Sequence, residues 1–420
     1  MSESCNSRHF SWLMKSCFPN PHDTCNSLSP NPIHTITITA AASATTLSSF
    51  PDDLLLECLS RVPSPSLPSI SLVCRRWSSL LRSPSFLSLR RLHNLLHPTI
   101  FAFSSSNSTL FAASLRFNDN LWKVISYLPF QLDYILHSGL TSIGPRIYIL
   151  CRNGLLFCYD TWTATFSPKS SFTCPRKKFA TAVVGGKLYV AGGASRAAAA
   201  VEEYDPDTDT WTVVSHAPRK RFGCIGAAFD GVFYVIGGLK IGNASGVHGN
   251  ELSRAATARA EAHLYASSMD LYDVEARMWL RSRAVPGGGC VVAACATASG
   301  YVYILASHAV ELSFWRFDAR RQGSSGGGGF GEWCRIKSPP LPAQVRLDST
   351  VRFSCVGVED KVVLIQVAGC IDDLLRRSGR NVRGLREGLV LIYDCADGEW
   401  SRGPDLPEVI RRAACVTVEC

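Results

Sequence analysis

One unit of sequence recurs within this 420-residue chain, and it limits the possible folds more than any other feature. FATAVVGGKLYVAGG (179–193), then VEEYDPDTDTWTVV (201–214) and the basic-aromatic turn PRKRFG (218–223), returns as CIGAAFDGVFYVIGG (224–238), SSMDLYDVEARMWLRS (267–282) and VPGGG (285–289). Each copy reads as four short strands. The first two form a hairpin around Gly185-Gly186 or Asp230-Gly231, residues that tolerate the positive φ of a tight turn. Gly192-Gly193 and Gly237-Gly238 end the second strand, and Tyr204-Asp205 and Tyr272-Asp273 close the third. Trp211 and Trp279 open the fourth, where a large ring fills the wedge between adjacent sheets. A repeated unit of this size covers its apolar faces only by packing against its own neighbours.

With that template four eroded copies become legible. CVVAACATASGYVYILAS, FWRFDARRQ and GEWCRI form one, and SCVGVEDKVVLIQVAG with LVLIYDCADGEWSRGP another. Upstream, RIYIL, LLFCYD and TWTATFSP make a third, and TIFAF, FAASLRFND and LWKVI a fourth. Trp122, Trp162, Trp211, Trp279, Trp333 and Trp400 are the expected anchors, scattered about the ~50-residue period of the kelch repeat with insertions in the longer gaps. The chain from 98 to 420 thus resembles an all-β kelch propeller of six blades. Its first copy starts with a second strand, while RRAACVTVEC at the end is an orphan first strand. Ala413 to Val418 is therefore expected to complete the first blade and remove the free edges of an open fan.

A different texture precedes the propeller. In SFPDDLLLECLSRVPSPSLPSISLVCRRWSSLLRSPSFLSLRR, Pro51 suits a first helical position and Asp52 and Asp53 complement the positive end of a helix. Leu54, Leu55, Cys58, Leu59 and Val62 recur at helical spacing until Pro63 and Pro65. A second helix is expected from Ser66 and Pro68 through Trp77 and Leu81, closed by Pro84. About forty residues cannot enclose a self-sufficient core. The order Phe50-Pro51-x-x-Leu54-Leu55, Leu72-Val73-Cys74-Arg75-Arg76-Trp77, Leu80-Leu81-x-Ser83-Pro84-x-Phe86 resembles the F-box, the helical module that docks substrate receptors onto the Skp adaptor of cullin-based ubiquitin ligases. Phe50 stands where that family usually has leucine. The resemblance implies that Phe50, Pro51, Leu54, Leu55, Cys58, Leu59, Leu72, Val73 and Trp77 hold the adaptor or the fold that presents it.

The resulting organisation is a Ser/Thr/Asn-rich tail expected to be disordered (1–48), an F-box (49–92) and a kelch propeller (98–420). Composition excludes several alternatives. No run reaches the ~18 uncharged apolar residues of a spanning helix, so no membrane partner is expected. The net charge of +9 is spread along the chain without an aromatic platform or a nucleic-acid module, so no nucleic-acid partner is expected either. Seventeen cysteines, an odd number without C-x-x-C, point to reduced thiols and hence to cytoplasm or nucleus. No histidine pair has ligand spacing, no G-x-S-x-G occurs, and the double glycines lack the helix and lysine of a phosphate loop. No metal, cofactor or catalytic residue is expected.

In a four-stranded meander the second-to-third connections and the links between blades emerge on one face. These segments carry Arg176, Lys177, Arg219, Lys220, Arg221, Arg346, Arg376, Arg377, Arg411 and Arg412. One hypothesis is a basic face that captures an acidic or phosphorylated target; the alternative is solvated turns. Combining both resemblances implies a non-catalytic substrate receptor of a Skp-cullin-F-box ligase. A propeller scaffold or sensor without a role in degradation stands as the alternative, and a kelch-type enzyme as the third.

Overall fold

The computed structural model describes residues 50–106, 109–117, 119–128, 139–193, 199–240, 265–308, 311–320, 331–341, 351–369, 388–410 and 412–420. The 1–48 tail lies outside these residues, as do positions 241–264, within the long insertion between CIGAAFDGVFYVIGG and SSMDLYDVEARMWLRS, and positions 321–330, which carry the glycine run before Gly331.

Six antiparallel sheets make the propeller, as the repeat count predicts. Their inner strands are Ala414–Glu419, Gly139–Ile143, Ala180–Val184, Ile225–Phe229, Cys290–Ala296 and Arg352–Val358, each neighbouring the next around a closed ring. The second and third strands are deeply covered, as Ser268–Asp273 and Leu156–Asp160 show with every residue buried. All five residues of Val232–Ile236 are buried because adjacent blades press on both faces, which is why VFYVI carries no polar alternation.

Closure occurs in blade one, where Ala414–Glu419 pairs antiparallel with Pro98–Phe103. Val416 and Val418 then pack with Phe101, Phe103, Ile147 and Ile149 toward blade two. Ala413 and Cys415 pack with Val356, Val363 and Ile365 toward blade six. Both faces of the closing strand are therefore committed to burial.

The tryptophans lock the perimeter. Trp211, Trp279, Trp333 and Trp400 each sit opposite the aromatic residue of the third strand, with ring centroids 4.9–5.2 Å apart. Three of these indole N–H groups also reach the preceding blade: Trp211 donates to the Ser170 carbonyl at 2.7 Å, Trp279 to Ser215 Oγ at 3.1 Å and Trp400 to the Lys337 carbonyl at 2.8 Å. Trp122 closes the same circle by donating to the Pro404 carbonyl of blade six at 2.9 Å. Trp162 departs from this expectation. In blade two the residue opposite Tyr159 is Phe166, so Phe166 fills the wedge and Trp162, in the preceding turn, is left for another use.

The amino-terminal helices are α1 (Asp52–Ser60), α2 (Leu67–Ser71), α3 (Arg75–Leu81) and α4 (Pro84–Leu92), with a 3-10 turn at Ser64–Ser66. The expected single second helix is broken at Leu72–Cys74. The Cys74 side chain caps α3 by accepting the Trp77 N–H, an alternative to continuing the helix. Pro84 opens α4 rather than merely ending α3, because its missing N–H costs nothing at the first helical position and Ser83 Oγ accepts the Phe86 N–H.

Deleting residues 414–420 should abolish the cooperative thermal transition of the propeller, since the strand leaves two apolar seams and an unpaired edge behind. Circular dichroism melting checks this; an unchanged midpoint would show that closure does not hold the ring.

Candidate functional site

Two surfaces lie at opposite ends of the strands. The first is made by the helices. Helical periodicity turns Leu55, Leu56 and Leu59 inward, where they meet Leu67, Leu80, Leu81 and Phe86, and leaves Leu54 and Cys58 facing solvent. The break after α2 places Leu72 and Val73 on an open corner, 82% and 61% exposed. Beside it runs a groove of about 540 Å³ lined by Ser71, Leu72, Cys74, Arg75, Ser78 and Arg82. Arg76 ties the start of the module down, bonding the Phe50 carbonyl and, at 2.7 Å, the Asp52 carboxylate.

The nine residues expected to serve the adaptor therefore separate by position. Leu55 and Leu59 are interior, and Phe50 and Trp77 are half-buried against the same core. Pro51, Leu54, Cys58, Leu72 and Val73 reach solvent.

The freed Trp162 joins this module to the propeller. It is 3% exposed and meets the Phe86 ring edge-on at 5.0 Å. Arg90, 1% exposed, stacks its guanidinium 5.9 Å from the Phe86 centroid and 5.8 Å from that of Trp162. It donates to the carbonyls of Ser60, Val62 and Leu95 and to Ser64 Oγ, at 2.7–3.2 Å. Burial lowers its pKa, and the four oxygen acceptors offset part of the cost of removing the charge from water. From blade two, Arg146 adds a bond to the Arg82 carbonyl at 3.0 Å. Sequence reading missed Arg90 because an arginine in the last turn of a helix ordinarily complements the helix dipole from solvent.

The helices rest on the hairpin turns of blade two, including Pro145-Arg146 and Asp160–Thr163. The links between blades open at the opposite ends of the strands, as the meander requires. Here the structure corrects part of the basic-face expectation. Arg176 is fully buried, ion-paired with Glu202, and donates to the carbonyls of Gly192 and Ala200 at 3.0 Å. Arg221 is equally buried, bonding Asp270 at 2.8 Å and the carbonyls of Gly237 and Tyr265 at 2.7 Å. Both are staples beneath the double-glycine turns and face no ligand. Loss of Arg176 leaves the buried Glu202 without a cation, which costs about 3–5 kcal/mol, whereas Asp270 would keep Arg219 at 3.5 Å if Arg221 were lost.

Other cations of these links stay accessible. Lys177, Lys220 and Arg412 are exposed. Arg219 is half-buried over Tyr265, 3.5 Å from Asp270. Lys178 and Arg412 both adopt positive φ, 54° and 52°, two residues before their inner strands, the position glycine takes at Gly223. Arg346, Arg376, Arg377 and Arg411 lie outside the described residues. Among the described residues no group of three His, Cys, Asp or Glu is placed to hold a metal ion.

Comparison with known proteins agrees with both halves. Residues 47–89 match the F-box domain and residues 175–217 match the Kelch motif. The chain is 63% identical over 430 residues, covering 100% of both chains, to F-box/kelch-repeat protein At5g26960 of Arabidopsis thaliana. Two further Arabidopsis thaliana proteins match in part. F-box/kelch-repeat protein At1g67480 is 31% identical over 46% of this chain and 56% of its own, and F-box/kelch-repeat protein At2g22030 is 33% identical over 44% and 52%.

Trp162→Ala should cost about 3–5 kcal/mol by emptying the joint beneath Phe86. Hydrogen exchange checks it: α1 to α4 should lose protection while blades three to six keep theirs.

Proposed function

Because this chain belongs to the F-box/kelch-repeat proteins, we propose that it is the substrate-recognition subunit of a Skp-cullin-F-box ubiquitin ligase. The helices α1 to α4 dock the Skp adaptor, and through it a cullin. The link face of the propeller binds a target protein for ubiquitination. The observation that carries this reading is the pair of leucine and valine side chains, Leu72 and Val73, held in water on a corner of a module too small to hide them. Pro51, Leu54 and Cys58 contribute to the same contact, while Leu55, Leu59, Phe50 and Trp77 shape it from within.

The chain itself performs no chemistry in this proposal. It raises the effective concentration of a target lysine near a charged conjugating enzyme, and the fixed joint at Trp162 makes that distance reproducible. The target is acidic or phosphorylated. Lys177, Lys220 and Arg412, with Arg219 behind them, supply the positive end of that recognition. Every cysteine of the described residues is a free thiol, which supports a reducing location in cytoplasm or nucleus.

Two experiments test the two ends separately. The double variant Leu72→Asp, Val73→Asp should lower affinity for purified Skp adaptor at least ~100-fold, about 2.7 kcal/mol, with an unchanged melting midpoint because neither side chain is buried. Wild-type affinity in the variant would remove the docking assignment, and adaptor binding without recruitment of cullin would favour a scaffold over a ligase subunit. At the other end, Lys177→Glu, Lys220→Glu and Arg412→Glu together should eliminate retention of acidic and phosphorylated peptides while leaving adaptor affinity intact. Retention equal to that of the parent chain would refute the basic-face assignment.

A further inference from the structure

The seam between blades five and six holds a pair of thiols that neither proposed surface uses. Cys295 lies on the inner strand Cys290–Ala296 and Cys355 on the inner strand Arg352–Val358, and their sulfurs stand 3.3 Å apart. A disulfide needs them only about 1.3 Å closer. The backbone enforces this approach: a Cβ on Gly357 would fall 2.0 Å from the Ala296 carbonyl oxygen, so the two strands run together with no side chain between them at that level. Cys295 is buried and Cys355 half-exposed, within an apolar cluster that includes Tyr303, Leu364, Leu391 and Tyr393. The bond from Cys355 and burial push the Cys295 thiol well above its ordinary pKa, so it rests as a neutral thiol.

We propose that Cys295 and Cys355 are an oxidative modification site whose substrate is a hydroperoxide and whose product is a disulfide joining blade five to blade six. Cys355, the accessible member, attacks the O–O bond as its thiolate; its sulfur becomes a sulfenic acid, and the leaving oxygen takes a proton to depart as water or an alcohol. The Cys295 sulfur then displaces the hydroxyl group from the Cys355 sulfur. The S–S bond forms as the S–O bond breaks, and the hydroxyl leaves as water with the Cys295 proton. Two thiols thus give up two electrons and two protons, and one hydroperoxide accepts them. A dithiol reductant reverses the step. The bond closes a segment of 60 residues, which narrows the unfolded ensemble and ties the two inner strands at the centre of the ring.

The test treats the full-length reduced chain with hydrogen peroxide, caps residual thiols and maps the peptides without reduction. The expected result is one cross-linked species joining Cys295 to Cys355, about 2 Da lighter than its two parts and released by dithiothreitol. It should be absent from Cys355→Ser, and the cross-linked parent should melt several degrees higher than the reduced one. A map in which exposed Cys290 and Cys334 are oxidised while Cys295 and Cys355 stay reduced overturns the proposal, as does Cys295 joined to Cys395 instead. A cross-linked chain that melts no higher overturns the claim that the bond staples the blades. The map of the parent chain decides the assignment even if the serine variant fails to fold.

Discussion

Backbone pairing between Pro98–Phe103 and Ala414–Glu419 joins segments more than three hundred residues apart, and the rest of the propeller depends on it. Each blade is a sheet with two apolar faces, so each needs a neighbour on both sides; a row of blades leaves two unsatisfied faces, and a ring leaves none. The closing strand meets this requirement by contributing to the clusters on either side of it. The aromatic pairs at the perimeter are secondary to that closure. They bind one blade to the last only because the blades already stand side by side.

Much of this architecture was legible because a propeller writes its period into the sequence. The double glycines of blades three and four and the aromatic-Asp pairs and tryptophans of blades three to six mark the same structural points, and the orphan strand RRAACVTVEC announced the closure. What escaped the sequence was set by contacts distant along the chain. Arg176 and Arg221 stand in basic turns indistinguishable by composition from their exposed neighbours Lys177 and Lys220. Their acids, Glu202 and Asp270, sit on third strands, and only the folded blade shows that they point inward. Trp162 misled for a related reason: its spacing fitted the repeat, but Phe166 occupies the wedge. The break at Leu72–Cys74 was missed because a cysteine cap leaves no distinct mark in a stretch that keeps helical periodicity.

The substitution of Phe166 for a perimeter tryptophan and the use of Trp162 at the helical joint belong together. A smaller ring suffices in blade two, and the indole one turn earlier reaches across to Phe86 and Arg90. The helical module thereby completes a core that it cannot enclose alone. Its residual apolar corner at Leu72 and Val73 is what remains after that joint has been satisfied.

Placing the closing strand after the other strands of the ring orders events during synthesis. The helices leave the ribosome first and can fold around Leu55, Leu59 and Phe86 while later blades are still being made, yet the ring stays open until Ala414–Glu419 emerges. A nascent chain therefore passes through a stage in which the helices have taken shape while blade one still lacks its inner strand, and a ribosome stalled within blade six would release a chain with a formed helical module and an open ring.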